Sequence, residues 1–181
     1  MERNIAYIAL FAALIAALGL IPQLALATGV PITAQSLGIM LAGTVLGSRR
    51  GALAVVLFLV LVALGLPLLS GGRGGLGVFS GPTAGFLFGF PVAAFVTGLI
   101  VERVRTGPLA VVATIAAVVG GIIVLYIPGL AVLAFKLDKS IPEATLLMAP
   151  FLPGDVIKAV LAGLITAALA KARPDTVLSR N

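Results

Sequence analysis

The chain has no cysteine, no histidine and no tryptophan, and only 10% of its 181 residues are charged. Without thiols or imidazoles there is no thiolate or imidazole metal site, no disulfide, no cysteine nucleophile and no relay that runs through histidine. Aromatic residues make up 6%, too few to promise base stacking, so the 12 Lys and Arg against 6 Asp and Glu do not read as a nucleic-acid surface. No nucleic acid, metal or cofactor is expected. The charges fall in short stretches between apolar runs, the pattern that sets orientation in a membrane.

What is present is apolar side chain: 61% of residues are hydrophobic, against roughly 45–50% in a soluble domain. The chain therefore reads as one all-α membrane domain over residues 1–181, with six transmembrane helices. Ile5 to Ala27 carries no charge and is long enough to cross a hydrocarbon core of about 30 Å. It is taken as a first span and not as a cleaved signal peptide, and Pro22-Gln23 and Thr28-Gly29-Val30-Pro31 should end it in a short irregular loop. Ile32 to Leu46 is the second span, its first turn, with Thr33, Gln35 and Ser36, facing a cavity or other protein. Gly51 to Leu69 is the third and Phe86 to Val101 the fourth. In Pro108 to Phe135, Pro128-Gly129 should end the fifth span near Tyr126 and start a short, separately tilted helix. After a polar loop from Lys136 to Glu143, the sixth span centres on Val156 to Ala170, with Asp155 as its N-cap.

Six spans place both termini on one side. Arg3, Arg49, Arg50, Arg103, Arg105, Lys171, Arg173 and Arg180 fall on that side, and Arg73, Lys136, Lys139 and Lys158 on the other. Eight against four predicts cytoplasmic termini in the cell membrane. A site would then open outward.

Asp155 and Lys158 are three residues apart and share a helix face. Intramembrane charges cost roughly 2.5–3.5 kcal/mol each on insertion scales, so the pair is a functional candidate; an interfacial salt bridge with a snorkelling lysine is the bland alternative. Together they suit a small molecule with N–H donors at one end and a carboxylate at the other. Gly71-Gly72-Arg73-Gly74-Gly75-Leu76-Gly77 is too glycine-rich for a helix and lacks the Gly-Lys-Ser/Thr of a phosphate loop. It reads as a loop, either a lid carrying Arg73 as an anion contact or a plain connection. Ala9, Ala13 and Ala17 recur every four residues, as do Ala12 and Ala16, a spacing that lets a helix approach closely, whether from a partner or from this chain. Tyr126 is an interfacial anchor or a pocket wall.

The strings Val30-Pro31-Ile32-Thr33-Ala34-Gln35, Gly65-Leu66-Pro67 through Gly75, Ser80-Gly81-Pro82-Thr83-Ala84-Gly85-Phe86, Tyr126 with Gly129, and Pro150-Phe151-Leu152-Pro153-Gly154-Asp155-Val156-Ile157-Lys158 resemble the BioY family. These are the substrate-binding S components of energy-coupling factor (ECF) biotin transporters. The resemblance implies an S-component-like bundle of six helices with a biotin pocket near the outer surface. It also implies that the first-helix alanines, Ala9, Ala13 and Ala17, dock on a transmembrane coupling protein driven by cytoplasmic ABC-type ATPases. Asp155, Lys158 and Arg73 would lie in the pocket, Gly74, Gly75, Gly81 and Thr83 in the segments that close over it, and Gln35 and Tyr126 nearby. The family often has Trp where this chain has Val132 and Gly where it has Ala84, so Phe79 or Phe86 is expected to supply the aromatic wall.

Capture of another small carboxylate-bearing vitamin is a neighbouring reading. An enzymatic alternative is an intramembrane hydrolase with Ser70 or Ser80 as nucleophile and Lys158 as base, although neither serine sits in a nucleophile motif. A structural subunit without a ligand would leave the charge pair and the glycine loop without a purpose.

Overall fold

A computed structural model describes residues 2–22, 24, 25 and 31–180. Most of the expected entry loop, Gln23 and Leu26 to Val30 with its Thr28-Gly29, lies outside the described residues. Six helical rods are described, two of them broken by tighter or wider turns. Helix α1 is Glu2–Leu18, α2 Gln35–Leu46, α3 Ser48–Ala63 and α4 Ala84–Arg103. The fifth rod is α5, Leu109–Val118, continued through a π turn, Val119–Val124, into α6, Leu125–Lys136. The sixth is α7, Ile141–Met148, a 3-10 turn at Ala149–Phe151, and α8, Leu152–Ala172. A two-residue strand pair, β1 Leu24–Ala25 against β2 Pro31–Ile32, is antiparallel and is the sole sheet among the described residues. By length and composition three rods qualify as membrane spans: Ala84–Arg103, Leu109–Lys136 and Ile141–Ala172. Helix α2 is a shorter apolar helix.

Several boundaries differ from the sequence reading. The first helix stops at Leu18 and not at Ala27, because Gly19 packs directly on the Leu68 carbonyl and Pro22 follows. The third ends at Ala63, where Gly65 turns the chain with φ +102°. The break in the fifth rod falls at Val119–Val124, with α6 running through Pro128 and Gly129. The wide turn changes the ladder just upstream of the proline, so the missing amide falls where spacing is already altered. Asp155 does not cap α8, since the helix begins at Leu152 with Pro153 in its first turn, and the carboxylate points instead to other helices. The polar loop before it is shorter than expected: Ser140 and Glu143 form a capping box, with the Glu143 carboxylate accepting the Ser140 amide at 2.8 Å and hydroxyl at 2.6 Å.

Helix α4 sits centrally, packed on α2, α3, α5 and α6. Small residues make this possible, since lipid supplies no hydrophobic drive and close backbone approach must hold the helices. A Cβ on Gly85 would collide with the Pro128 carbonyl of α6, and one on Gly98 with the backbone of Gly47 and Ser48. The main core gathers Ile15, Met40, Leu46, Phe58 and Ala94. Helices α2 and α8 are joined inside it by a buried hydroxyl pair, Thr166 Oγ1 donating to Thr44 Oγ1 at 2.8 Å. At the far end of α2 the tail folds back: Ser179 donates its amide to the Val45 carbonyl at 3.0 Å and its hydroxyl to the Thr44 carbonyl at 2.5 Å. Val177 and Leu178 are buried there. The tail thus meets helix-end carbonyls that have no intrahelical donor.

Gly98→Ala should destabilise the bundle by about 1–3 kcal/mol, the usual cost of overpacking. A lowered melting temperature of the detergent-purified chain is the check, and an unchanged one would refute the tight crossing of α4 on the α2–α3 turn.

Candidate functional site

The ends of α2, α6 and α8 opposite the tail meet around one carboxylate. Asp155 Oδ1 accepts from Lys158 Nζ at 2.9 Å and from Ser36 Oγ at 3.2 Å, and Oδ2 accepts from Tyr126 Oη at 2.7 Å. Lys158 Nζ also donates to Ser36 Oγ at 3.0 Å. The side chains of Lys158 and Asp155 are only 15% and 10% exposed. Spacing explains the pair itself, i and i+3 on α8, whereas Ser36 and Tyr126 come from distant helices. Burying two charges costs several kcal/mol each unless hydrogen bonds satisfy them, and a pair held this way is weak evidence of stability. The four side chains form one polar pole in a mainly apolar bundle.

The pole lines a cleft with about 650 Å³ of unfilled space, open solvent included. Phe86 and Phe90 of α4, Phe151, and Leu87 and Leu125 form its apolar walls, and Phe86 meets Tyr126 edge to face at 6.3 Å. An apolar wall with a few convergent polar groups is the usual design of a small-molecule site. Thr33, Gln35, Leu69, Arg73 and Thr83 complete the lining. Arg73 donates Nε to the Ser70 carbonyl at 3.2 Å and has no carboxylate partner among the described residues.

Of the residues singled out from sequence, Gln35, Arg73, Thr83, Tyr126, Asp155 and Lys158 come together in this cleft. Gly74 and Gly81 border an adjoining cleft that shares Arg73 and Thr83. Gly75 and Phe79 line neither cleft as described: Gly75, at φ +81°, donates its amide to the Val62 carbonyl, and Phe79 packs on Phe88 with ring centroids 5.8 Å apart. Ser36 lines the cleft, in keeping with the expectation that the first turn of the second span faces a cavity or other protein, but its bonds to Asp155 and Lys158 are not part of the sequence reading, and Phe90 and Phe151 have no role in it. The spacing Phe86/Phe90, one helical turn, was the available signal for the second aromatic. Ala9, Ala13 and Ala17 lie on the exposed face of α1, while Ala12 is buried against the bundle. Neither Ser70 nor Ser80 bonds to Lys158. Ser80 Oγ donates to the Gly77 carbonyl, and the hydroxyl beside Lys158 is that of Ser36, where the ammonium already serves a carboxylate and is no free base.

Residues 2–175 match the BioY family. The chain belongs to the BioY family. The biotin transporter BioY of Rhodobacter capsulatus is 58% identical to this BioY chain, covering 99% of it and 100% of the relative. That of Rhizobium etli is 52% identical, with 95% of each chain covered. A crystal structure of the S-component for biotin from an ECF-type ABC transporter superposes with a TM-score of 0.89 at 32% identity, covering 94% of this chain and 92% of that one. These relatives are transport proteins and not enzymes, so the hydrolase alternative falls.

In this BioY chain Gln35 is committed to the backbone. Its Nε2 donates to the carbonyls of Ile15 at 3.2 Å and Leu68 at 3.0 Å, and its Oε1 accepts the Ser70 amide at 3.0 Å. One side chain thereby ties the end of α1 and the loop before α4 to the start of α2. The loop is also held by the paired amides and carbonyls of Leu69 and Arg73. Gln35→Leu should leave those three backbone groups unpaired, costing about 1–3 kcal/mol for each buried group that water cannot reach. Limited proteolysis reads the result: faster cleavage between Gly71 and Gly77 is expected, and an unchanged rate would mean that the loop is held elsewhere.

Proposed function

We propose that the chain is the biotin-capturing S component of an ECF-type transporter, sitting in the cell membrane with six spans and both termini cytoplasmic. Support for the orientation comes from the charge count, together with the position of the cleft at the end of the bundle opposite Arg50, Arg105 and the tail. The observation that carries the ligand reading is the donor and acceptor inventory of the pole. A carboxylate offers about four lone-pair directions and an ammonium three hydrogens. With three donors on Asp155 and two acceptors on Lys158, the carboxylate keeps one acceptor direction, on Oδ2, and the ammonium one hydrogen unused. These complement the N–H and C=O of a cyclic urea.

Biotin joins such a urea to a carboxylate tail through an apolar body. The aromatic walls suit the body, and of the two cations that line the cleft, Lys158 is paired with Asp155 while Arg73 has no acid partner among the described residues, so the valerate carboxylate is assigned to Arg73 and the ureido ring to Asp155 and Lys158. Gly74, Gly75, Gly81 and Thr83 belong to the segments that close over the ligand, and Gln35 holds the loop in place. No bond is made or broken. The chain alternates the side to which the ligand is exposed, and ligand can bias that equilibrium only through unequal affinity for the two states. Ala9, Ala13 and Ala17 form the bearing face for a transmembrane coupling protein, and cytoplasmic ABC-type ATPases supply the energy.

Equilibrium binding of biotin to the detergent-purified chain is the deciding experiment. Asp155→Asn and Lys158→Ala should each weaken it by about two orders of magnitude, the effect of breaking a buried charge-assisted contact. Arg73→Gln should weaken biotin but leave biotin methyl ester unchanged. Absence of saturable binding by the folded wild-type chain would remove biotin, and an Arg73→Gln effect of equal size on the ester would reverse the assigned ends. Ala13→Leu should keep binding and abolish uptake by cells that make the whole transporter; loss of both together would remove the partner from this face.

A further inference from the structure

In the turn Val119–Val124 the Leu125 amide reaches back five residues to the Gly120 carbonyl. A π turn holds one residue more than an α turn and is found frequently at functional sites. Leu125 and Tyr126, directly after it, line the cleft, and Tyr126 supplies one of the bonds to Asp155. The turn is pressed against two other helices. A Cβ on Gly120 would collide with Thr97 Oγ1 of α4, and one on Gly121 would lie 2.6 Å from Met40 Cε of α2. Thr97 Oγ1 is nevertheless buried with no hydrogen-bond partner among the described residues. Further along the same rod Pro128 has no amide, so the Val124 carbonyl has no donor at α spacing. The ladder is thus interrupted at two places, and the cleft-facing residues lie between them.

We propose that the extra residue moves between these two places during transport and that Tyr126 is the part that turns. With the wide turn at Gly120-Gly121, Tyr126 faces Asp155, the arrangement described above. With it at Pro128, the residues between follow the phase of α5 and are rotated by about 100°, the angle of one residue in an α-helix. Leu125 then takes the direction of Tyr126, and Asp155 loses a hydroxyl donor. Helix α5 and the far part of α6, held by Gly85 against Pro128, keep their places. A wide turn at Pro128 forfeits no bond that the proline could have made, and the carbonyls of 119–124 return to α spacing beside the unused Thr97 hydroxyl. The first arrangement captures and the second releases.

The transport readout of this inference rests on the biotin reading, and its structural readout does not. Deleting Ile123, which is 56% exposed, removes the extra residue while keeping both flanking faces in phase, so nothing is left to move. Pro128→Ala restores an amide and closes the second seat. In hydrogen exchange of the ligand-free wild-type chain, amides of 119–127 should exchange at least about tenfold faster than the rest of 109–136, and the deletion should abolish the difference. Uniform protection across the wild-type rod would overturn the proposal whatever the ligand proves to be. Both variants should bind biotin within about threefold of wild type yet lower its uptake at least about tenfold in cells that make the whole transporter. Wild-type uptake by both variants, or loss of binding in both, would also overturn it. A wild-type chain that fails to bind biotin would end the biotin reading, while the exchange data would still judge the moving turn.

Discussion

A carboxylate inside an apolar bundle has to be surrounded by donors, and most of the architecture follows from meeting that demand at Asp155. Its three bonding partners come from three helices: Lys158 on its own, Ser36 at the start of α2 and Tyr126 near the start of α6. Each donor fixes the rotation of the helix that carries it. Helix α2 must begin late enough for Ser36 to face inward, and α6 must have the phase that aims Tyr126 across the cleft. The helix ends therefore converge on one point, and the aromatic walls are what that convergence leaves around it. Replacing the pair by apolar residues would release the helices from the constraint, but would also remove the charged pole of the cleft.

Much of this was legible in the sequence because it is local or compositional. The apolar fraction set the membrane class, the i, i+3 spacing put Asp155 and Lys158 together, and the glycine density of 71–77 excluded a helix through most of that stretch. What escaped was long-range. Ser36 joins the pole across more than a hundred residues of chain, and Gln35 spends its amide on the backbone of two other segments, which no spacing rule reveals. Proline misled at Pro128, and at Pro153 the helix start was placed too late, with Asp155 taken as the cap. At Pro128 a wide turn upstream had already adjusted the ladder, and at Pro153 the ring sits in a first turn where its missing amide costs nothing, so the rods run on through both. The family resemblance covered the outline of the fold but not these particulars.

The bundle is held by small residues and by polar groups, which do different jobs. Glycines such as Gly85 and Gly98 bring backbones close and set distance without direction. Hydroxyls and amides set direction, since a hydrogen bond weakens steeply when bent. The clasp at Gln35 shows the division clearly: packing alone would let the loop before α4 slide over α1, whereas three hydrogen bonds with fixed geometry do not.

The buried hydroxyl pair of Thr44 and Thr166 has a mechanical consequence when set beside Ser36. Helices α2 and α8 are pinned to each other twice, at Ser36 and at Thr44, eight residues or about 12 Å apart along α2. One pin would leave a hinge; two pins make a plate. Helices α2 and α8 therefore act as the stator of the molecule, and any rotor must be sought among the helices bound to them by a single polar link.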